Sequence, residues 1–160
     1  MTEEKLNLLK SKLQNYNVEY TDTNGTPALY INKDDIIEIC KVLKNDNDLK
    51  FNLLVDAISV DRFVKKNRFE MFYNLVSIEY NQRIFLKIKL ESHDPEMQSL
   101  SQIWKSANWY EREAFDMMGI KFTNHPDLRR MYMPENYEYN PLKKDFPLMG
   151  IPDSIPLPNK

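Results

Sequence analysis

Glycine, cysteine and histidine are scarce in this chain of 160 residues, which has 3 Gly, 1 Cys and 2 His. So few glycines leave no dinucleotide fingerprint and no P-loop, because both need closely spaced glycines where the backbone approaches phosphate. A nucleophile elbow is missing as well. The lone cysteine, Cys40, excludes an internal disulfide and an iron–sulfur site built within the chain, and it allows a reducing compartment. Neither sign of charge dominates: 22 basic residues are interleaved with 24 acidic ones for a net charge of -2. That pattern offers no basic face to nucleic acid. No apolar run approaches the ~20 residues of a membrane span. The N-terminal stretch alternates charge with leucine and does not build the apolar core of a signal peptide. Association with a membrane is therefore expected only through a partner.

With 42% hydrophobic residues, the chain has the composition of a soluble globular protein large enough to bury a core without disulfides or metals. Leu6, Leu8, Leu9 and Leu13 recur at helical spacing and predict an amphipathic helix over about 3–15. Val18 to Thr21 alternates like a strand, Asn24-Gly25 supplies a hairpin turn, and Ala28 to Ile31 reads as the returning strand. Asn32 is the expected cap of a second helix with Ile36, Ile37, Ile39, Cys40 and Leu43 as its apolar stripe. Phe51 to Val60, Phe69 to Tyr80 and Arg83 to Glu91 read as three strands of an antiparallel meander joined by short polar links. The expected fold class is α+β: one domain over 1–133, a mixed or antiparallel sheet with helices on one face. An extended tail over 134–160 follows. Prolines recur through its end and exclude a helix there. The tail is expected to be either disordered or laid along another surface, and its leucines and isoleucines favour the second.

The densest chemistry lies between Asn108 and Gly150. Glu111, Arg112, Glu113 and Asp116 share one helical run, followed by Arg129-Arg130 and Lys143-Lys144-Asp145, with aromatics and methionines between. Burying such charges is costly unless they are paired. Ser99 with Gln102, and Asn108 with Glu111, have capping-box spacing, which predicts two short helices broken near Ser106. The second would run from Trp109 to Met118, with Gly119 in the left-handed terminal position. Tyr110, Ala114, Met117 and Met118 would share one side of it, with Arg112 and Asp116 four residues apart on the other.

Glu111 admits three roles: reciprocal partner of the Asn108 cap, ion-pair partner of Arg129 or Arg130, or proton carrier with a raised pKa. A structural role is preferred. His125, with Asp127 nearby, invites a metal or acid–base role, but the ligands a metal needs are missing at recognisable spacing. A histidine before proline is expected instead to fix a turn through its ring nitrogens. Cys40 is expected to be a small buried hydrophobe. Arg129, Arg130, Tyr132, Lys143, Lys144, Asp145 and Phe146 combine guanidinium, aromatic and methionine neighbours, the enrichment of an interface core. Arginine there suits bidentate pairing with a partner's carboxylates.

Glu111-Arg112-Glu113, Asp116, Met117-Met118, His125-Pro126-Asp127-Leu128-Arg129-Arg130 and Pro141-Leu142-Lys143-Lys144-Asp145-Phe146-Pro147 resemble the signature of the C subunit of proton-pumping NADH:quinone oxidoreductase, respiratory complex I. More distantly they resemble a domain of membrane-bound energy-converting hydrogenases. Against the family pattern, Glu138 and Asn140 stand where a turn glycine and a histidine are usual, and Lys143 replaces an arginine, exchanging a fork for a point charge. The resemblance implies a structural subunit with no cofactor of its own, docked on the D subunit, which forms the quinone pocket with the cluster-bearing B subunit. NADH, FMN, iron–sulfur clusters and quinone would then belong to partner subunits. The location implied is peripheral, on the cytoplasmic face of the bacterial inner membrane. An equivalent accessory subunit of a hydrogenase-type or ferredoxin-fed complex is the alternative. A free-standing enzyme using His125, Asp127 and the helix carboxylates is the reading from another class.

Overall fold

A computed structural model describes residues 2–152. Helix α1 (Glu3–Lys12) leads into a hairpin of β1 (Glu19–Thr23) and β2 (Thr26–Tyr30), and then α2 (Ile36–Asn45). A meander of β3 (Leu53–Asp61), β4 (Phe69–Ser77) and β5 (Gln82–Leu90) follows, then β6 (Glu96–Gln98), α3 (Ala107–Met118) and β7 (Lys121–Thr123). Five strands form one sheet in the order β1-β2-β5-β4-β3, in which only the β2–β5 pair is parallel. The α+β class and the mixed sheet agree with expectation. β6 and β7 form a small parallel pair beside it.

The β1–β2 turn follows directly from Asn24-Gly25. Both residues have positive φ, 52° and 81°, the backbone of a tight hairpin turn that these two residue types tolerate best. The Gly25 N–H is fixed by Asp22 Oδ1 at 2.8 Å. In the meander, alternation places Phe69, Met71, Tyr73 and Leu75 of β4 and Ile84, Leu86, Ile88 and Leu90 of β5 in the core. Leu9 and Leu13 from the first helix and Ile36, Ile39, Cys40 and Leu43 from the second complete the same cluster. Each such leucine or isoleucine contributes roughly 1.5–3 kcal/mol by leaving water. The opposite face carries no helix among the described residues. There Lys89 and Lys87 lie 4.4 and 5.4 Å from the centre of the Tyr30 ring.

Several boundaries differ from the sequence expectation for local reasons. α1 ends at Lys12, whose ammonium reaches Asp46 and Asp48 near the end of α2 (2.7 and 3.1 Å). Asn32 does not cap α2: its Oδ1 accepts from the Asp34 N–H one turn earlier, and the helix starts after Asp35. The expected short helix after Ser99 is a turn, in which the N–H groups of Ile103 and Trp104 both reach the Leu100 carbonyl. The Trp104 indole donates to the Phe51 carbonyl (3.1 Å), and the Ser106 hydroxyl to that of Leu54 (3.0 Å). These side chains brace the loop on β3, and α3 begins at Ala107 with no side-chain cap at Ser106. Tyr110 adds a second bond to β3, donating to the Val55 carbonyl at 2.7 Å.

Residues 134–145 return to the body of the domain, with Tyr137 buried and the Leu142 N–H donating to the Met117 carbonyl (3.1 Å). The last part of the expected extended segment, 153–160, lies outside the described residues.

Candidate functional site

Two buried carboxylates organise the chain after α3. The first is Asp116, whose side chain is fully enclosed. Its Oδ2 accepts the backbone N–H groups of Met131, Tyr132 and Met133 at 2.9, 2.7 and 3.0 Å. Its Oδ1 accepts from Arg130 Nη1 at 2.6 Å. Burial pushes this carboxyl up, but the N–H donors and the guanidinium outweigh it and hold it below the usual carboxylate range. Three N–H groups converging on one oxygen require a tight local curl of the backbone, and the charge is stable there because each donor points at it.

The same segment satisfies the C-terminal end of α3. The final carbonyls of a helix have no partner inside it. Here Asn140 Nδ2 donates to the carbonyls of Phe115 and Asp116 (3.4 and 3.0 Å), and Arg130 Nη1 also reaches that of Asp116 (3.2 Å). Gly119 ends the helix with φ 73°, as its position predicts, and a Cβ there would sit 2.6 Å from Asn140 Oδ1. Arg112 is buried under the next stretch of chain, donating to the carbonyls of Arg129 and Arg130 at 3.1 and 3.2 Å. Its guanidinium also stacks 5.0 Å from the centre of the Trp109 ring. Arg112 and Asp116 therefore do not pair with each other.

The second carboxylate, Asp61, closes β3. It accepts from Arg68 Nε and Nη2 (2.8 and 2.6 Å), the Phe63 N–H (2.8 Å) and the Lys144 N–H (2.9 Å). Burial raises its carboxyl, and these donors overcome that effect and bring it down to about 2. Arg68 bridges onward to both oxygens of Asp145 at 2.8 and 3.0 Å. Sequence reading overlooked Asp61 and Arg68. The available signal was the strand phase: Ala57, Ser59 and Asp61 pair with the core-facing Tyr73, Met71 and Phe69, so a carboxylate at that phase needed a cation.

Glu111 sits apart from both knots. The expected cap of Asn108 and the expected pairing with Arg129 or Arg130 are both absent: Arg129 reaches Asp127 and Arg130 reaches Asp116. Instead, fully buried Glu111 accepts from the Leu100 N–H (2.8 Å), Ser99 Oγ (2.6 Å) and Tyr73 Oη (3.4 Å). Burial pushes its carboxyl up to about 7 against the lowering effect of those donors. His125 Nε2 is 3.9 Å from Glu111 Oε2, too far for a hydrogen bond. Its Nδ1 accepts from the Asp127 N–H (3.1 Å), which assigns the proton to Nε2, 3.2 Å from the Asn108 carbonyl. Both ring nitrogens thus fix the turn, and burial lowers the imidazole pKa, so the ring is neutral rather than an ion-pair partner.

The residues expected at a partner interface divide in two. Arg130, Lys143 and Asp145 make contacts inside the chain: Arg130 pairs with Asp116, Asp145 with Arg68, and Lys143 is half-buried 5.9 Å from the centre of the Phe69 ring, where burial lowers its pKa. Phe146 is half-buried, while Glu113, Lys144, Arg129 and Tyr132 face outward. Trp109, Tyr132 and Leu142 are each more than half exposed, at 59, 60 and 54%. Among the described residues no group of three His, Cys, Asp or Glu side chains could hold a metal ion, and no helix is long and apolar enough to cross a membrane.

Fold and charge network together define an α+β domain whose C-terminal segment is strapped to its body by two carboxylates. The model of the respiratory-chain NADH dehydrogenase 30-kDa subunit family matches residues 29–152. The C subunit of NADH-quinone oxidoreductase from Roseiflexus sp. strain RS-1 is 38% identical over 143 residues, covering 89% of this chain and 82% of that protein. Its counterpart in Geotalea uraniireducens strain Rf4 is 39% identical over 148 residues, 92% of this chain and 88% of that one. Among solved structures, a trypsin-resistant fragment of Nqo5 superposes with a TM-score of 0.66 at 25% identity, covering 78% of this chain and 99% of the fragment. A chain of the membrane-bound sulfane sulfur reductase, an archaeal respiratory membrane complex, shares the fold with a TM-score of 0.75 at 20% identity over 92% of this chain and 88% of that one. The chain belongs to the 30-kDa subunit family of respiratory-chain NADH dehydrogenase, whose bacterial members are the C subunits of the peripheral arm of complex I.

Proposed function

We propose that this chain is a cofactor-free structural subunit that docks on the quinone-site D subunit, next to the cluster-bearing B subunit. It supports electron transfer from NADH through FMN and iron–sulfur clusters to quinone, coupled to proton translocation, all of that chemistry residing in partner subunits. The assembly would lie on the cytoplasmic face of the bacterial inner membrane, with this chain peripheral to it. One observation carries the reading: Asp61 and Asp116 fix the segment after α3 on the body, while Trp109, Arg129, Tyr132 and Leu142 stay outward. Large exposed aromatics and an arginine on a fixed backbone suit an interface, since ordering them costs little at association.

The test is affinity purification of the tagged chain from gently solubilised membranes, followed by mass spectrometry. Recovery of D and B subunits with membrane subunits is expected, and Arg129→Ala or Tyr132→Ala should reduce it without unfolding the chain. A wild-type chain recovered alone would refute the scaffold reading. The electron-input subunits that co-purify identify the donor: NADH-oxidising subunits for complex I, and others for a hydrogenase-type or ferredoxin-fed relative.

A further inference from the structure

Glu111 is unlike the other buried carboxylates of the chain. Asp61 and Asp116 each face a guanidinium, whereas Glu111 receives only neutral donors. The elements around it supply Tyr73 from β4, Cys40 from α2, Ser99 and Ser101 from the loop after β6, and His125 from the loop after β7. Burial pushes the Cys40 thiol and the Tyr73 phenol upward, and it pushes His125 downward, so all three are neutral near pH 7. Glu111 is the one group of this cluster whose charge changes there.

The hydroxyls beside it form a chain. Ser99 Oγ lies 2.6 Å from Glu111 Oε2 and 2.7 Å from Ser101 Oγ, and it also accepts the Ser101 N–H at 3.1 Å. A serine hydroxyl has one proton to donate. When Glu111 is ionised, Ser101 donates to Ser99 and Ser99 donates to the carboxylate. When Glu111 is protonated, the carboxyl donates to Ser99, and Ser99 turns its proton toward Ser101. Both polarities satisfy every oxygen without moving a heavy atom. Ser101 also lines an open cleft of about 470 Å³ with Lys105, Trp109, Arg112, Asp127 and Arg129.

We infer that Glu111 is a proton-exchange site served by a two-hydroxyl wire, Ser99 and Ser101, that connects the core to this cleft. On release, the carboxyl proton passes to Ser99 Oγ, the proton of Ser99 passes to Ser101 Oγ, and the proton of Ser101 leaves to water in the cleft; uptake reverses each step. The charges at the cleft are mixed, Lys105 and Arg112 beside an Arg129 that is paired with Asp127 at 3.0 Å, so they do not set the direction of transfer. The exchange requires no docked partner, but Trp109 and Arg129 of the proposed docking surface line the same cleft, so the free chain is the state in which the wire meets water.

Infrared spectroscopy of the full chain tests it, with the protonated-carboxyl band followed through a titration and after a rapid pH jump across neutrality. The wild-type chain should show a band that titrates near pH 7 and re-equilibrates within the mixing time. Glu111→Gln should lack the band. Ser101→Ala should keep the band and its midpoint but relax about tenfold more slowly or worse, because the proton must then await local opening of the loop. Ser101→Thr should restore the fast rate. Ser101→Cys, similar in size but a weak hydrogen-bonding group, repeats the deletion without opening a cavity. A wild-type chain with no band titrating around neutrality, or alanine and cysteine variants that relax as fast as wild type, would overturn the wire.

Discussion

Asp116→Ala removes the acceptor of three backbone N–H groups and of one guanidinium from a site where the aspartate side chain is fully enclosed. Breaking a buried pair by deleting one partner costs about 3–5 kcal/mol, and each backbone donor left dry costs about 1–3 kcal/mol more. Met131 and Met133 are only half-buried and Tyr132 is exposed, so water would replace part of the loss. The expected destabilisation is therefore about 3–5 kcal/mol and not the sum. Asp116→Asn keeps one acceptor oxygen but turns an amide toward Arg130, and about 2 kcal/mol should be lost. Urea denaturation at neutral pH measures both, and hydrogen exchange at the amides of residues 131–133 localises the effect. Asp116→Ala that loses less than about 1 kcal/mol and keeps these amides protected would refute the claim that this carboxylate holds the segment.

Glu111 gives a pH signature of opposite sign to that of the aspartates. Its rise from 4.5 to about 7 on folding means that stability is fully present below pH 4.5 and is lost as pH rises toward 7. At ~1.4 kcal/mol per pH unit the loss is about 3 kcal/mol, and Glu111→Gln should flatten this limb of a denaturation profile. A wild-type profile that is already flat there would contradict the buried, desolvated carboxyl. Gly119→Ala should destabilise by roughly 1–2 kcal/mol from the left-handed backbone alone, and displacement of the Asn140 amide by the new methyl should add to this in thermal melts. Arg68→Ala leaves buried Asp61 without its cation and should cost about 3–5 kcal/mol, whereas Asp145→Ala, half-exposed, should cost under about 1 kcal/mol; equal losses would place the anchor at the wrong carboxylate.

The fold was legible wherever one local rule decided the outcome. Asn24-Gly25 fixed a hairpin, period-two alternation identified the three long strands, and Gly119 ended its helix with the expected left-handed backbone. Capping-box spacing misled at Ser99 and Asn108 because tertiary partners were stronger than local ones. Ser99 bonds Glu111 across 12 residues, and Glu111 faces the core instead of its own helix terminus. The dense charge between Glu111 and Asp145 was recognised as needing partners, but their identity depended on sequence separations that no window spans. Arg68 meets Asp145 across 77 residues, and Asp61 meets Lys144 across 83. Tyr73, on a strand that reads as ordinary core, could not be linked to Glu111 before the sheet was assembled.

Many straps on the segment after α3 grip its main chain, beside those that the side chains of Arg130, Asn140 and Asp145 make. Asp116 holds the N–H groups of residues 131–133, Asp61 that of Lys144, and Met117 that of Leu142, while Arg112 takes the carbonyls of Arg129 and Arg130. Contacts to peptide groups are indifferent to the side chain each residue carries, so at residues 131–133, 142 and 144 the path of the segment is insulated from substitution. The outward side chains can then change with whatever surface they meet while the backbone keeps its course. The stringent positions are instead the few buried carboxylates and arginines at a distance in sequence, and a graft of the segment onto another domain would need those anchors transplanted with it.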